Sequence, residues 1–174
     1  VYTNENIFDL RDRPKHLIVV GGGPIGMEMA QAHLRLGCKV TVIEGAKAMG
    51  KDDPEMAAIL LNKLRLEGVK IIENAQVNKI SGCKGHDAKV VVHTPLGNFT
   101  GSHMLMAVGR KVNIENLCLD KANVKWSRGG VEVGSNLRSV SNRKVYAVGD
   151  AAGGLQFTHV AGYHAGVVIR SILL

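Results

Sequence analysis

Residues 17 to 44 read LIVVGGGPIGMEMAQAHLRLGCKVTVIE. The apolar run Leu17–Val20 stops at three glycines, which predicts a strand buried on both faces. Apolar residues recur at helical spacing over residues 24–36, and Gly37 supplies a stop signal for that helix. Residues 39–43 alternate in polarity and are rich in β-branched side chains, which indicates a second strand. The stretch therefore predicts a βαβ unit with a glycine-rich turn after its first strand.

Three glycines form the pattern GxGxxG between this strand and this helix, the context that a dinucleotide-binding fingerprint requires. Gly21 permits the tight turn, Gly23 lets the backbone approach a pyrophosphate, and Gly26 lets the helix pack closely on the sheet. The helix N-terminus offers free amide groups and the positive end of its dipole to the phosphates. The motif therefore predicts a dinucleotide ligand.

Glu44 stands directly after the second predicted strand. A carboxylate at this position can accept hydrogen bonds from both ribose hydroxyls of an adenosine, and it would repel a 2′-phosphate. NAD(H) is therefore favoured over NADP(H). Lys47 and Lys51 lie just downstream and would weaken that preference, so NADPH stays open as the alternative.

The next segments extend the sheet. Asp53-Pro54-Glu55 is a helix-start signal, and the helix is expected to run to Glu67 and to end at Gly68. Residues 69–72 predict a third strand, so the order β-α-β-α-β implies a parallel sheet with right-handed crossovers. The buried face of the second helix is expected to carry Met56, Ile59, Leu60 and Leu64.

Residues 76–80, 89–94 and 97–100 then predict three short strands of an antiparallel meander, and residues 103–108 a buried parallel strand. The fold class is thus α/β, a Rossmann-like parallel sheet with an antiparallel β-meander crossover. The sequence after residue 111 is less regular. Its pattern predicts a weak strand at residues 130–133, a buried strand at 145–148 and a helix at 160–174.

Composition restricts the class of protein. The chain has 174 residues, of which 45% are hydrophobic, 21% charged and 4% aromatic. The formal net charge is +7, but the basic residues are scattered and few aromatics are present, which argues against nucleic acid. Cys38, Cys83 and Cys118 contain no CxxC pair, which argues against zinc and disulfides and fits a reducing cytoplasm. No histidine spacing suggests a metal site, and no apolar run approaches the ~20 residues that cross a membrane.

Four segments resemble the pyridine nucleotide-disulfide oxidoreductases, with mercuric reductase and dihydrolipoamide dehydrogenase as the most similar members. Residues 16–44 resemble the NAD(P) motif of that family. Residues 106–113, MAVGRKVN, resemble its AxGRxxN motif, although Val112 stands where proline is usual. Residues 145–150, VYAVGD, resemble its second flavin motif, and residues 157–166, FTHVAGYHAG, the stretch that follows.

The resemblance implies site residues beyond the glycines. Ala107 to Gly109 would lie beside the nicotinamide ribose, and Glu28 near the nicotinamide, although a solvated helix residue explains Glu28 equally well. Val77 would touch adenine, or is simply a core valine. The residues assigned to NAD are Gly21, Gly23, Pro24, Ile25, Gly26, Glu28, Glu44, Val77, Ala107, Val108 and Gly109. Those assigned to FAD in the full-length enzyme are Arg110, Gly149 and Asp150. No catalytic or metal-binding residue is assigned.

The family also has an N-terminal FAD glycine motif, a redox cysteine pair and a C-terminal dimerisation domain, none of which occurs in this sequence. We therefore expect residues 1–14 to be a lead-in segment, 15–118 an NAD(P)-binding domain, and 119–174 the returning part of an incomplete FAD domain. Apolar side chains left without those domains predict self-association, or disorder of residues 112–174. They are Val145, Tyr146, Val160, Val167, Ile169 and Ile172.

Three functions remain open. The first is the NAD(H) domain of an FAD-dependent oxidoreductase, which passes hydride to FAD in the full enzyme and turns nothing over by itself. The second is a stand-alone NAD-sensing module, for which the segments at 106–113 and 145–150 would have no purpose. The third is a flavin-independent NAD dehydrogenase, which needs a proton-transfer residue, and His103 and Lys111 are the nearest candidates.

Overall fold

The computed structural model of the chain describes residues 1–82 and 89–174. Cys83, one of the three cysteines, and His86, one of the seven histidines, lie outside the described residues. The chain divides into two units, Val1–Gly109 and Arg110–Leu174. The functional boundary after residue 118 stays a prediction.

The first unit is built around a parallel sheet. Its elements in chain order are β1 (His16–Val20), α1 (Pro24–Arg35), β2 (Lys39–Ile43), α2 (Pro54–Glu67), β3 (Lys70–Ile72), β4 (Lys79–Gly82), β5 (Val90–Thr94), β6 (Gly97–Gly101) and β7 (His103–Met106). The strand order in the parallel sheet is β3-β2-β1-β7, and every neighbouring pair is parallel. The predicted parallel sheet is confirmed. Because its strands are parallel, the carboxyl ends of β1, β2, β3 and β7 meet at one edge.

Both predicted helices of this unit form, and each has a physical start and stop. The Asp53 carboxylate accepts hydrogen bonds from the amides of Glu55 and Met56 at the start of α2, at 3.0 and 3.2 Å. Gly68 ends α2 in the left-handed conformation with φ of 113°, which favours glycine. Pro54 and Pro24 stand at the first helical positions of α2 and α1, where the missing proline amide loses no helix hydrogen bond.

The buried face of α2 differs from the predicted one. Leu64 is buried as expected, but Met56, Ile59 and Leu60 are 66%, 67% and 36% exposed. The face that packs on the sheet instead carries Ala57, Leu61 and Leu64. These three residues are spaced i, i+4 and i+7, so they lie on one side of the helix. The predicted set has a similar helical spacing, so spacing alone does not distinguish the two. Apolar residues occur all around α2, and the periodicity alone therefore selected the wrong stripe.

The antiparallel meander is confirmed, with strand order β4-β5-β6. Its first strand begins at Lys79 rather than at the predicted residue 76. Residues 74 and 75 are instead bonded to the segment after β2, because the Asn74 amide donates to the Ala46 carbonyl and the Ala75 amide to the Glu44 carbonyl. Those backbone contacts tie the chain to the parallel sheet before the meander starts.

The second unit contains the short antiparallel pair β8 (Trp126–Ser127) and β9 (Gly130–Val131) and the helix α3 (Thr158–Leu173). β8 was missed from the sequence, and β9 is shorter than the predicted strand at 130–133. The predicted strand at 145–148 is wrong, since its one ladder contact among the described residues is a bridge from Tyr146 to Arg138. A small core holds the unit together and consists of Val112, Ile114, Val124, Val131 and Ala147.

Among the described residues, no helix combines the length and the apolarity that crossing a bilayer requires.

Two histidines lie at the amino-terminal edge of the parallel sheet. His16 Nε2 is hydrogen-bonded to Thr41 Oγ1 at 2.9 Å, and the His103 ring stacks on Tyr2 with centroids 5.5 Å apart. Burial, helped by the nearby charge of Lys39, lowers the pKa of His16 below its ordinary value. Burial lowers the pKa of His103 in the same direction. Both rings therefore disfavour protonation in the folded chain.

We expect the free energy of unfolding to fall as the pH drops from 7 to 5. A histidine whose folded pKa is lowered stabilises the fold above its unfolded pKa, and that stability is lost as the pH falls below about 6.5. Urea denaturation followed by circular dichroism measures the slope. The double variant His16→Gln, His103→Gln should show a flatter slope, and an unchanged slope would contradict the assignment.

Candidate functional site

The glycine turn between β1 and α1 is closed by backbone contacts. Gly21 has φ of +110°, and a Cβ added there would lie 2.3 Å from the Ala107 carbonyl oxygen. Its amide donates to the Ile43 carbonyl at 2.9 Å. The first glycine therefore touches the ends of β2 and β7 at once, and no larger residue fits.

The other two motif glycines have opposite surroundings. A Cβ on Gly26 would stand 2.1 Å from the Gly21 carbonyl oxygen, whereas a Cβ on Gly23 would meet nothing within 4 Å. Gly26 thus lets α1 start directly on the turn. Gly23 leaves open space in front of the helix, where a ligand backbone can approach.

The first turn of α1 carries amide groups without acceptors. Gly23 caps α1, and its carbonyl accepts the Met27 amide at 3.0 Å. Pro24 carries no amide hydrogen, and the amides of Gly23, Ile25 and Gly26 have no acceptor among the described residues. A helix N-terminus with unpaired amides and a positive dipole end binds anions such as phosphate.

The Glu44 carboxylate lies at the same turn. Its Oε2 accepts the Gly22 amide at 2.6 Å, and its Oε1 accepts the Ala46 amide at 2.9 Å. A carboxylate oxygen can accept more than one hydrogen bond, so Glu44 retains capacity for an external hydroxyl. Lys47 and Lys51 are exposed nearby in the chain.

The segment after β7 reaches the glycine turn. The Ala107 amide donates to the Val20 carbonyl at 2.7 Å, which places Ala107 beside Gly21. Val108 is 68% exposed, and Gly109 has φ of +141° with open space around it. The structure thus brings these residues of the MAVGR segment to the edge of the sheet that carries the glycines and Glu44.

The remaining residues assigned to NAD have fewer contacts that tie them to the glycine turn. Pro24, Ile25 and Glu28 are exposed on the first turns of α1. Val77 is half-buried and packs against a core cluster that contains Ile18 and Val92, which fits a core valine. Contact of Val77 with adenine stays a prediction.

The residues assigned to FAD lie in the second unit. Asp150 is exposed in a 3-10 turn, Gly149–Ala152. The Gly149 amide donates to His164 Nδ1 at 3.1 Å, and Arg110 donates to the Gln156 carbonyl at 2.9 Å. The unit also has an open cavity of about 660 Å³ near Asp120, Trp126 and Glu132, and none of the predicted site residues lines it.

Sequence reasoning missed two parts of the glycine turn's surroundings. The Met49 amide donates to the Gly22 carbonyl at 2.8 Å, and Glu73 Oε1 accepts the Ala48 amide at 2.9 Å. Glu73 directly follows β3, so the rule that ligand-binding residues cluster at the carboxyl edge of parallel strands would have found it. Nothing in the sequence pattern signals Ala48 or Met49.

Within the described ranges, no group of three or more His, Cys, Asp or Glu residues could hold a metal ion.

A family model described as "Pyridine nucleotide-disulphide oxidoreductase" matches residues 1–165. The chain is 34% identical over 163 residues to the probable pyridine nucleotide-disulfide oxidoreductase RclA of Escherichia coli (strain K12), an alignment that covers 92% of this chain and 36% of that protein. It is 30% identical over 175 residues to a dihydrolipoyl dehydrogenase of Bacillus subtilis (strain 168), covering 98% and 37%. A mercuric reductase of Staphylococcus aureus is 30% identical over 173 residues, covering 98% and 32%.

Solved structures share the fold. The HOCl-induced flavoprotein disulfide reductase RclA from Escherichia coli superposes with a TM-score of 0.90 at 32% identity, covering 99% of this chain and 39% of that one. LpdA from Mycobacterium tuberculosis gives 0.87 at 29% identity, covering 98% and 37%. The chain therefore spans little more than a third of the length of these relatives.

The two glycines with opposite surroundings give a matched pair of variants. Gly26→Ala forces a methyl group onto the Gly21 carbonyl, so we expect it to lower the free energy of unfolding by about 1–3 kcal/mol. Gly23→Ala meets open space, and we expect a loss below about 1 kcal/mol, since alanine is the poorer N-cap. Urea denaturation compares them, and equal losses would show that the close approach of α1 is not what requires Gly26.

Proposed function

The chain belongs to the pyridine nucleotide-disulphide oxidoreductase family, and we propose that its glycine turn binds NAD(H) as part of an FAD-dependent enzyme. In that full-length enzyme, NAD(P)H passes a hydride to FAD. The share of this chain is to bind and orient the dinucleotide, and by itself it completes no turnover. Relatives named mercuric reductase and dihydrolipoyl dehydrogenase support this reaction class.

One observation carries the proposal. The amides of Gly23, Ile25 and Gly26 have no acceptor among the described residues, Gly23 leaves open space at this helix end, and the Glu44 carboxylate binds the neighbouring Gly22 amide. The amides suit a pyrophosphate, and the carboxylate suits the ribose hydroxyls at the adenosine end. A ligand that carries both groups in series, as a dinucleotide does, matches the donors and the acceptor together.

Charge favours NADH over NADPH. The 2′-phosphate of NADPH would approach the ribose-binding carboxylate, and two negative groups at hydrogen-bond distance repel each other. Lys47 and Lys51 are exposed and offer the only partial compensation in the segment that follows Glu44. We propose that the nicotinamide end then extends toward Ala107, Val108 and Gly109.

One exposed carboxylate in the second unit is suited to a flavin cofactor. The Asp150 carboxylate is exposed, so it can accept hydrogen bonds from the hydroxyl groups of a flavin cofactor. Arg110 and Gly149 would complete that site in the full-length enzyme. Flavin held there would supply the hydride-accepting chemistry of the full-length enzyme.

An apolar surface of α3 supports the proposal that the second unit packs on other chain segments or on copies of itself. None of the described residues of α3 is buried, and Ile169 and Ile172 are both 57% exposed. Val145, Tyr146, Val160 and Val167 were also predicted to be exposed, but the structure leaves them half-buried. The proposed surface therefore centres on the carboxyl-terminal half of α3.

Calorimetric titration with NADH and NADPH tests the cofactor assignment. We expect the native chain to bind NADH more tightly than NADPH, because Glu44 bonds the ribose of one and repels the phosphate of the other. Glu44→Ala should weaken the binding of NADH by about 1–3 kcal/mol, as expected for lost hydrogen bonds to a charged group. The difference between the affinities for NADH and NADPH should therefore become smaller.

Glu55→Ala is the matched control, since it removes an exposed carboxylate of α2 and changes the net charge equally. It should leave both affinities unchanged. Native chain that binds neither nucleotide would overturn the proposed function, and an unchanged NADH affinity in Glu44→Ala would overturn the role of Glu44.

Sedimentation velocity tests the surface on α3. We expect the native chain to associate as its concentration rises, and the double variant Ile169→Lys, Ile172→Lys to sediment as a monomer, since lysine places charge on the apolar contact. Met56→Lys, Ile59→Lys is the control, because these α2 residues are equally exposed apolar side chains. A native chain that is monomeric throughout, with α3 ordered, would contradict the proposal.

A further inference from the structure

We infer that Glu73 is a positioning residue for the dinucleotide site, acting through the segment 45–50 on the glycine turn. The inference rests on the proposed function for its ligand, but its geometry is independent of it. Glu73 directly follows β3, and its two carboxylate oxygens point to different elements. Oε1 accepts the Ala48 amide at 2.9 Å, and Oε2 accepts Arg65 Nη2 of α2 at 2.8 Å.

The segment 45–50 lies directly against Gly22. Ala48 is 4% exposed, and its Cβ lies 3.1 Å from the point where a Cβ on Gly22 would stand. The next residue, Met49, donates its amide to the Gly22 carbonyl at 2.8 Å. The Gly22 amide is meanwhile held by Glu44 at 2.6 Å. Gly22 is thus held on both its polar groups, directly by Glu44 and, through Ala48 and Met49, by Glu73.

The segment needs an external contact to keep this shape. Met49 has φ of +54°, the left-handed region that a non-glycine residue adopts only when its surroundings enforce it. The Ala48 amide sits at a buried residue, so without Glu73 it must move toward water to find an acceptor. Either movement releases the Gly22 carbonyl, and the amides of Gly23, Ile25 and Gly26 then lose their fixed direction.

This role requires a side chain at residue 73 that is long enough to bring an acceptor oxygen to the Ala48 amide, and it does not require the negative charge. The ion pair with Arg65 is partly exposed, with side-chain exposures of 41% and 28%, so water and salt screen it. The hydrogen bond to the Ala48 amide is the contact that leads to the glycine turn. Glu73→Gln keeps the side-chain length and an acceptor oxygen but loses the charge. Glu73→Asp keeps the charge but withdraws the oxygens by one methylene.

The test is fluorescence titration of NADH into the native chain and the two variants. We expect Glu73→Gln to bind within about twofold of the native Kd and Glu73→Asp to bind about tenfold more weakly. Glu67→Ala is the control, because it removes a comparable ion pair of α2, with Arg35 at 3.0 Å, that does not contact the glycine turn. Its NADH affinity should equal that of the native chain even if its melting temperature falls.

A second measurement needs no nucleotide. Amide hydrogen exchange at Ala48 and Met49 should be faster than native in Glu73→Asp and close to native in Glu73→Gln. Native chain that fails to bind NADH overturns the proposed function, while this exchange pattern still tests the geometry. The inference itself is overturned if Glu73→Asp matches native in both measurements, if both variants are equally impaired, or if Glu73→Gln is the more impaired.

Discussion

The close approach of α1 to the turn before it is the constraint on which the rest of the first unit depends. A Cβ on Gly26 would stand 2.1 Å from the Gly21 carbonyl, and a Cβ on Gly21 would stand 2.3 Å from that of Ala107. The turn therefore lies in contact with the ends of β2 and β7. Because these strands are parallel, Glu44 and Ala107 are carried to the same edge as the free amides of α1. The site is a consequence of this packing.

Sequence alone predicted the parts of this site that local chemistry determines. The glycine spacing, the cap at Asp53 and the stop at Gly68 each act within a few residues, so the pattern placed α1 and α2 within one residue of their observed ends. The acidic residue after β2 was found because its position follows from the βαβ unit. The position of Glu73 directly after β3 was an available signal that went unused, whereas its contacts with Ala48 and Arg65 join three elements and follow only from the three-dimensional arrangement.

The errors have physical causes too. Apolar residues surround α2, and the packing of α2 on the sheet buries the stripe of Ala57, Leu61 and Leu64. Residues 145–148 have the composition of a buried strand, but a strand also needs a neighbour with a run of ladder hydrogen bonds, and the described part of the second unit supplies one bridge. The composition of a segment shows that it could pair as a strand, but it does not show whether a neighbouring strand is present.

Pro24 gives the amino-terminal end of α1, the proposed phosphate site, a property that its neighbours lack. The pyrrolidine ring fixes φ near −65°, so this residue has little conformational freedom to lose in either the free or the occupied state. Together with Gly26, which is confined by the Gly21 carbonyl, it restricts the conformations open to the glycine turn before any ligand binds. The entropy of ordering this loop is thus lost when the chain folds, and the proposed binding of a phosphate would have the desolvation of a few amides as its main local cost.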